Sequence, residues 1–279
     1  MEIDRLDAGD ERDHAFGELL AKVERERGFV CGAYKTRCLF RRIGARMRAR
    51  GAVTFAAYAE LLDRDAAEYE RLVDALTINV TKFFRNPHVF DSVARHIMPA
   101  LAALPDEEVR IWSAGCSSGE EPFSLAILCH ELDAGHPATT PLAPRARILG
   151  TDIDRLSLVA AARASFGEDR FADTTDVIRR RYFSPDPPYQ LASDVRALVR
   201  FERRDLIADA PPMTDAHLIT CRNVLIYFDR DRQEEMLERF HGALVPGGFL
   251  VLGKVEMLLG RARALFTNVD GRERVYRKR

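Results

Sequence analysis

Apolar residues in the first 80 positions recur at three- and four-residue spacing. Phe16, Leu19, Leu20 and Val23 form one stripe over residues 10–27, which ends before Gly28; Leu39, Phe40, Ile43 and Met47 form a second over 35–50, which ends at Gly51. Thr54 is placed to cap a third helix over 55–62, and a fourth covers 68–76. Nothing there reads as a strand, so residues 1–80 are expected to form a small helical domain. Asn86, an N-cap candidate with Pro87 at the first helical position, opens one more helix that runs on over 89–104. Residues 81–104 are then linker and connecting helix. Beyond them the period changes. Short apolar runs at 109–114, 146–150, 217–221 and 249–252 alternate with helical stretches at 120–132, 156–164 and 230–244, the pattern of a parallel α/β sheet with crossover helices over 105–279. The rhythm breaks between 166 and 204. A basic helix-like piece at 179–182, a proline-rich 184–189 and a strand-like 197–201 read there as an insertion or decoration of the sheet.

Composition narrows the class. Of 279 residues, 47% are hydrophobic and 30% charged, a globular balance that excludes wholesale disorder. No apolar run approaches the roughly 20 residues that span a bilayer, and residues 1–12 are acidic and polar, so a cytoplasmic chain without membrane insertion is expected. Five dispersed cysteines with no CxxC pair suggest neither a disulfide framework nor a zinc site, and no metal is expected. With 42 basic and 43 acidic side chains, overall charge names no partner. Locally the balance is uneven: residues 35–50 hold Lys35, Arg37, Arg41, Arg42, Arg46, Arg48 and Arg50 and no acid. On a helix, Lys35, Arg42, Arg46 and Arg50 fall on one flank and Arg37, Arg41 and Arg48 on the other. Such a run is either a solvated amphipathic face or a surface for an acidic partner; nothing else in the chain supports nucleic acid.

Four loops carry candidate chemistry. In RIWSAGCSSGEEPFS (110–124) a strand ends in a turn of small residues that opens a helix. Gly115 and Gly119 let a backbone approach a ligand closely, but the spacing is not GxGxxG, and Glu120 and Glu121 crowd the place where a pyrophosphate would sit. A cationic ligand is better served; the alternative is a tight turn whose acids complement a helix dipole. In ILGTDID, Asp154 suits a helix N-cap, whereas Asp152, nearer the strand end, suits ribose hydroxyls. A positively charged ligand with a sugar and no phosphate is S-adenosylmethionine, which points to a methyltransferase. HLITCRNVLIYFD (217–229) places Asn223 and Tyr227 after a strand, as site-rim groups or as a turn Asn and a half-buried Tyr. NVTKFFR (79–85) offers Asn79, Thr81 and Arg85, which ordinary capping and solvation also explain.

Together NVTKFFR, RIWSAGCSSGEEPFSLA, TDID, CRNVLIYFD and LVPGGFLVLGKVE, in this order, resemble the CheR-type methyltransferases that esterify glutamate side chains of bacterial and archaeal chemoreceptors. The likeness covers about residues 12–278. It implies a class I S-adenosylmethionine-dependent (Rossmann-like) α/β domain behind an all-helical N-terminal domain, with a small β-subdomain for which 166–204 is the candidate. By matching motif, Asn79, Thr81 and Arg85 reach the cofactor, Arg85 at its methionyl carboxylate. Glu121 takes the methionyl ammonium and Asp152 the ribose. Asp205 and Leu206 stand where the family has an Asn-Leu pair beside adenine, and Asn223 with Val224 lines the methionine end. S-adenosylhomocysteine is the implied product. Arg85 and Tyr227 are candidates for lining the reacting carboxylate, and Arg42, Arg46, Arg48 and Arg50 for meeting acidic receptor helices. The implied partners are receptor cytoplasmic domains, with the enzyme a monomer. Two departures stand out: Asp205 in place of Asn, and GKVE where many members read GHSE. The second is the best argument for the runner-up, a cofactor-binding but non-catalytic module docking on receptors. Residues 184–196 hold no glycine and carry Pro185, Pro187 and Pro188, so a receptor C-terminal peptide is not expected to add there as a strand.

Overall fold

The stripes of the N-terminal segment fold as α1 (Ile3–Arg27), α2 (Thr36–Arg50), α3 (Phe55–Arg64) and α4 (Ala66–Leu76). The computed structural model describes residues 3–27, 29, 31–76, 81–136 and 140–279, the side chains of 3–12 and Ala33 excepted. Thr54 caps α3 as expected, its Oγ1 accepting from Ala57 N at 3.1 Å. Gly51 ends α2 in a left-handed conformation, φ +69°, that only glycine adopts without strain. The buried stripe runs through Phe16, Leu19, Val23, Leu39, Ile43 and Met47, and Phe16 meets Phe55 and Phe40 at centroid distances of 5.1 and 5.3 Å. Residues Tyr227–Asp229 group with these helices as one of two units into which the chain divides. Phe228 pairs with Tyr34 in an antiparallel bridge, the rings 4.8 Å apart.

The second unit, Asn79–Ile226 with Arg230–Arg279, is built on a seven-stranded sheet. Its strands are β1 (Val109–Ala114), β2 (Ala146–Asp152), β5 (Val199–Arg203), β6 (Ala216–Cys221), β7 (Leu244–Leu252), β8 (Phe266–Asp270) and β9 (Val275–Lys278), in the order β5-β2-β1-β6-β7-β9-β8. β3 (Ser165–Phe166) and β4 (Tyr189–Gln190) form a separate two-residue ladder. The five strands from β5 to β7 are parallel and β9 and β8 antiparallel. β1 and β6 are buried almost along their whole length, which is why they read as mostly apolar runs without alternation. The order reverses between β1 and β6, so their carboxyl ends open a ligand crevice. α7 (Glu120–Gly135), α8 (Arg155–Arg163) and α11 (Arg230–Ala243) are the crossover helices.

Three expectations are corrected. The helix foreseen over 89–104 is α5 (Pro87–Ser92), a π turn at Val93–Ile97, and α6 (Met98–Ala102). Pro99 has no N–H, and its ring crowds the carbonyl four residues back; the wide turn, with Met98 N donating to Val93 O, absorbs the misfit. The strand foreseen at 197–201 begins at Val199 and belongs to the main sheet beside β2, Ala197 closing α10 (Ser193–Ala197) instead. What remains of the candidate β-subdomain is the β3–β4 ladder, the Phe183–Leu191 bridge and α9 (Asp176–Tyr182). The β8–β9 hairpin was not foreseen, because polar residues alternate through FTNVD and VYRK; the Asp270-Gly271 turn between them was the available signal.

Candidate functional site

Two strand ends and a turn meet through buried polar contacts. After β1 the chain turns at Gly115 (φ +76°), Ser117 (φ +50°) and Gly119 (φ +92°), three positive φ values in five residues. A Cβ at Gly115 would run into Val224 Cγ2, so this glycine admits a side chain from the loop after β6. The turn is fixed to β2 by Asp152. Its Oδ2 accepts from Ser117 N at 2.7 Å and its Oδ1 from Asp154 N at 2.9 Å. Asp152 is 9% exposed. Burial pushes its carboxyl above the usual aspartate range against the pull of those amides. Asp154 takes the capping role expected of it, accepting from Leu156 N at 2.9 Å.

The two acids that open α7 have different surroundings. Glu120 is fully buried, holds Ser118 Oγ at 2.8 and 3.0 Å and faces Arg170 Nη1 at 3.3 Å; burial raises its pKa. Glu121 Oε1 accepts from Ser113 Oγ at 2.8 Å and Thr220 Oγ1 at 2.6 Å, while its Oε2 meets Arg222 Nη1 at 3.1 Å. Arg222 Nη2 donates to Arg85 O at 2.6 Å and to Asn86 Oδ1 at 3.3 Å, and the guanidinium lies 5.2 Å from the Phe90 ring centroid. Arg85 sits between two left-handed residues, Phe84 (φ +53°) and Asn86 (φ +62°). Asn86 stands at the expected N-cap position of α5, but its side chain binds Arg222 rather than the helix. Arg222 was missed as a functional residue; a lone arginine closing the apolar run HLITC was the sign.

Glu256 is the other residue missed. It is 4% exposed, and its carboxylate accepts from Gly253 N (2.6 Å), Asn223 N (2.9 Å) and Ile226 N (3.3 Å); burial raises its pKa despite these donors. Asn223 is itself left-handed, φ +62°, with a buried Oδ1 that has no hydrogen-bond partner. In the GKVE segment the two departures, Lys254 and Val255, are exposed, whereas Gly253 and Glu256 make the loop's internal bonds. The loop's side-chain bonds to Gly253, Asn223 and Ile226 are thus made by Glu256, without Lys254 or Val255.

The remaining candidates are dispersed. Asn79 lies outside the described residues. Thr81 is half-buried, its carbonyl accepting from Arg170 Nη1 at 3.1 Å. Asp205 spends Oδ1 on Ile207 N at 2.8 Å in its own turn, which Arg239 secures by donating to the carbonyls of Leu206 (3.3 Å) and Ile207 (2.9 Å). Arg204 N, one residue earlier, donates to Asp152 O at 2.9 Å and ties that turn to the ribose candidate.

In the helical unit, Arg42 donates to Leu76 O and lies 5.0 Å from the ring centroid of Tyr227. Arg46 Nε bonds Glu68 Oε1 at 3.0 Å, with Tyr58 Oη on the same oxygen at 2.8 Å, and Arg50 bonds Asp65 at 2.9 Å. Arg42 and Arg46 are thus half-buried and engaged by Leu76 O and Glu68 within the helical unit, a correction to the view of these two as open surface, while Arg50 is exposed and bonded to Asp65. Arg48 is exposed, and with Arg37 and Arg41 it has no carboxylate partner among the described residues.

A family model described as "CheR methyltransferase, all-alpha domain" matches residues 14–77, and "CheR methyltransferase, SAM binding domain" matches 79–275. The chain is 35% identical to an uncharacterized 104.1 kDa protein of Rhodobacter capsulatus over 87% of its own length and 25% of that protein's. It is 31% identical to a probable chemotaxis protein methyltransferase of Rhizobium etli, covering 87% of this chain and 92% of that one. A chemotaxis protein methyltransferase of Listeria innocua is 32% identical over 86% and 88%. The side chains at the strand ends fit S-adenosylmethionine: Glu121 and Asp152 suit an ammonium and paired hydroxyls, and the orphaned Asn223 Oδ1 needs a donor.

Proposed function

Because this chain belongs to the CheR methyltransferase family and its cofactor is S-adenosylmethionine, we propose that it transfers methyl groups to glutamate side chains of chemoreceptor cytoplasmic domains, forming esters that tune chemotactic adaptation. The observation that carries this reading is the joining of Arg85, Glu121, Asp152 and the 222–224 loop, which all five motifs of the family help to build. Among the described residues no helix is long and apolar enough to cross a membrane.

Bound S-adenosylmethionine supplies an electrophilic methyl on a positively charged sulfur. A glutamate carboxylate is already ionised at neutral pH, its reference pKa being about 4.3. With the cofactor held there, such a carboxylate would be the acceptor of its methyl group and S-adenosylhomocysteine the product. No general base is needed. The protein's work is to hold the reactants in line and keep water from the nucleophile. Glu121 and Asp152 would hold the ammonium and ribose, Thr81 would reach the cofactor from its own loop, Asp205 and Leu206 would border the adenine, and Asn223 and Val224 the methionine end. By the resemblance, Arg85 and Tyr227 would be the groups that meet the acceptor carboxylate. For the receptor surface we assign Arg37, Arg41 and Arg48, exposed cations of α2 without a carboxylate partner among the described residues, with exposed Arg50 at the end of the helix. The two-residue β3–β4 ladder leaves little edge for an added strand, in keeping with receptor recognition that needs no C-terminal peptide.

The test is incubation with receptor membranes and S-adenosylmethionine labelled in its methyl group. Label released by mild base is expected, as from an ester. Tight cofactor binding without base-labile label would instead make the chain a regulatory module.

A further inference from the structure

We propose that Arg222 is a positioning residue: it sets the Arg85 turn by its main chain and links that turn to the state of Glu121. The inference rests on the family reading for the identity of the cofactor, and on the geometry for everything else. The Arg222 side chain is 3% exposed, so its charge is held by protein groups alone. One arm meets Glu121 Oε2; the other meets Arg85 O and Asn86 Oδ1, on either side of one peptide unit. Phe84 and Asn86 have positive φ, and a bulky aromatic residue holds such a conformation only where its surroundings over-determine it. The opposite side is held too: Asn86 N donates to Asp173 Oδ2 at 3.1 Å, and Lys82 Nζ bonds Asp173 Oδ1 at 2.8 Å. Arg222 is the member of this clamp that also touches Glu121.

The chemistry of the pair gives the coupling. An ammonium arriving at Glu121 competes with Arg222 for one carboxylate, and whatever hold Arg222 loses there strengthens its bonds to the Arg85 carbonyl. Cofactor binding and the setting of Arg85 then share a free energy. A lysine cannot replace it, since one ammonium on a flexible stem does not span a carboxylate and a carbonyl as a planar fork does.

The experiment compares Arg222→Lys and Asn86→Gly with the wild-type chain. Asn86→Gly keeps the left-handed backbone and removes only the outer contact, so it remains informative if Arg222→Lys does not fold. Expected for Arg222→Lys are a kcat lower by at least about 10-fold and an S-adenosylhomocysteine Kd, by calorimetry, weaker by no more than about threefold, the share of the coupling that the loosened turn takes from ligand binding. Asn86→Gly should lower kcat by about two- to fivefold with Kd unchanged. Amide exchange at Asn86, measured without receptor, should quicken in Arg222→Lys and slow in the wild type on addition of S-adenosylhomocysteine. This readout stands whether or not glutamate is the acceptor. Parallel losses in kcat and Kd, or Asn86 exchange indifferent to both the variant and the ligand, would overturn the assignment.

Discussion

The two units bury carboxylates by opposite means. In the helical unit Glu68 is fully buried with Arg46 and Tyr58 against it. Burial opposes its charge, but those hydrogen bonds outweigh it and hold the carboxyl below the usual glutamate range. In the sheet unit Asp152 and Glu256 are buried against backbone N–H groups, with no cation bonded to either among the described residues, and burial pushes both upward. At Glu68 the guanidinium and phenol compensate the charge, whereas the amides at Asp152 and Glu256 hold each carboxyl in place with its charge uncompensated; Glu121, paired with Arg222, shows that the sheet unit also has the first kind. The first arrangement builds a scaffold. The second leaves Asp152 suited to meet a ligand's hydroxyls, at a cost in stability that the loop geometry carries.

The largest effect expected from this contrast is at Arg46. Arg46→Glu sets a second acid beside Glu68 and should destabilise the helical unit by about 4 kcal/mol, the scale for breaking a buried ion pair; loss of far-UV helicity at lower denaturant measures it. An Arg46→Glu protein of normal stability with a raised receptor KM would return Arg46 to the partner surface. Next is Glu256→Ala, which frees three amides and should cost the sheet unit about 2 to 3 kcal/mol, read from the fluorescence of Trp112, the only tryptophan. Cofactor affinity should fall with it, since Asn223 N is one of the three.

How much of this was legible beforehand follows the same line. Helix faces and buried strands announce themselves by pattern, so the fold class and most elements could be read, apart from the half-polar hairpin, from β5, which read as part of the insertion, and from the π turn at Val93–Ile97. Candidate residues could be named where a motif fixes their type, as at Glu121 and Asp152. Their bonding was not: Arg46 and Glu68 are 22 positions apart, Glu121 and Arg222 are 101, and no local pattern connects them. The basic run 35–50 looked uncompensated because its acids lie later in the chain, Asp65 between α3 and α4 and Glu68 on α4.

Acid titration separates the two arrangements without mutation. Glu68, lowered in the folded state, contributes stability that is present above its ordinary value of about 4.5 and is lost as pH falls from there through its folded pKa. Asp152, Glu120 and Glu256, raised in the folded state, act the other way: they bind protons more readily folded, so protonating them stabilises as pH falls toward 3.8 to 4.5. Denaturant midpoints from Trp112 fluorescence should therefore rise, or fall less, on mild acidification, while helicity midpoints decline only below about pH 4.5. Cofactor affinity should weaken over the range where the Trp112 midpoint rises, because a protonated Asp152 is a poorer acceptor. Midpoints that move together over the whole range would show that the two kinds of buried acid do not differ.

The smallest effect is expected where the chain departs most visibly from its family. Lys254 and Val255 are exposed, Val255 at 69%, while Glu256 beside them makes every side-chain bond that ties the loop to Gly253, Asn223 and Ile226. If amide bonds to one buried carboxylate are what hold this loop, the residues at its tip are free to vary. Lys254→His with Val255→Ser should then change stability by less than about 0.5 kcal/mol, as for ordinary surface substitutions, and leave the calorimetric Kd for S-adenosylhomocysteine unaltered. A tighter Kd in the double variant would mean that the tip itself contributes to the site, and that the loop's hold on Asn223 is shared between Glu256 and the residues before it.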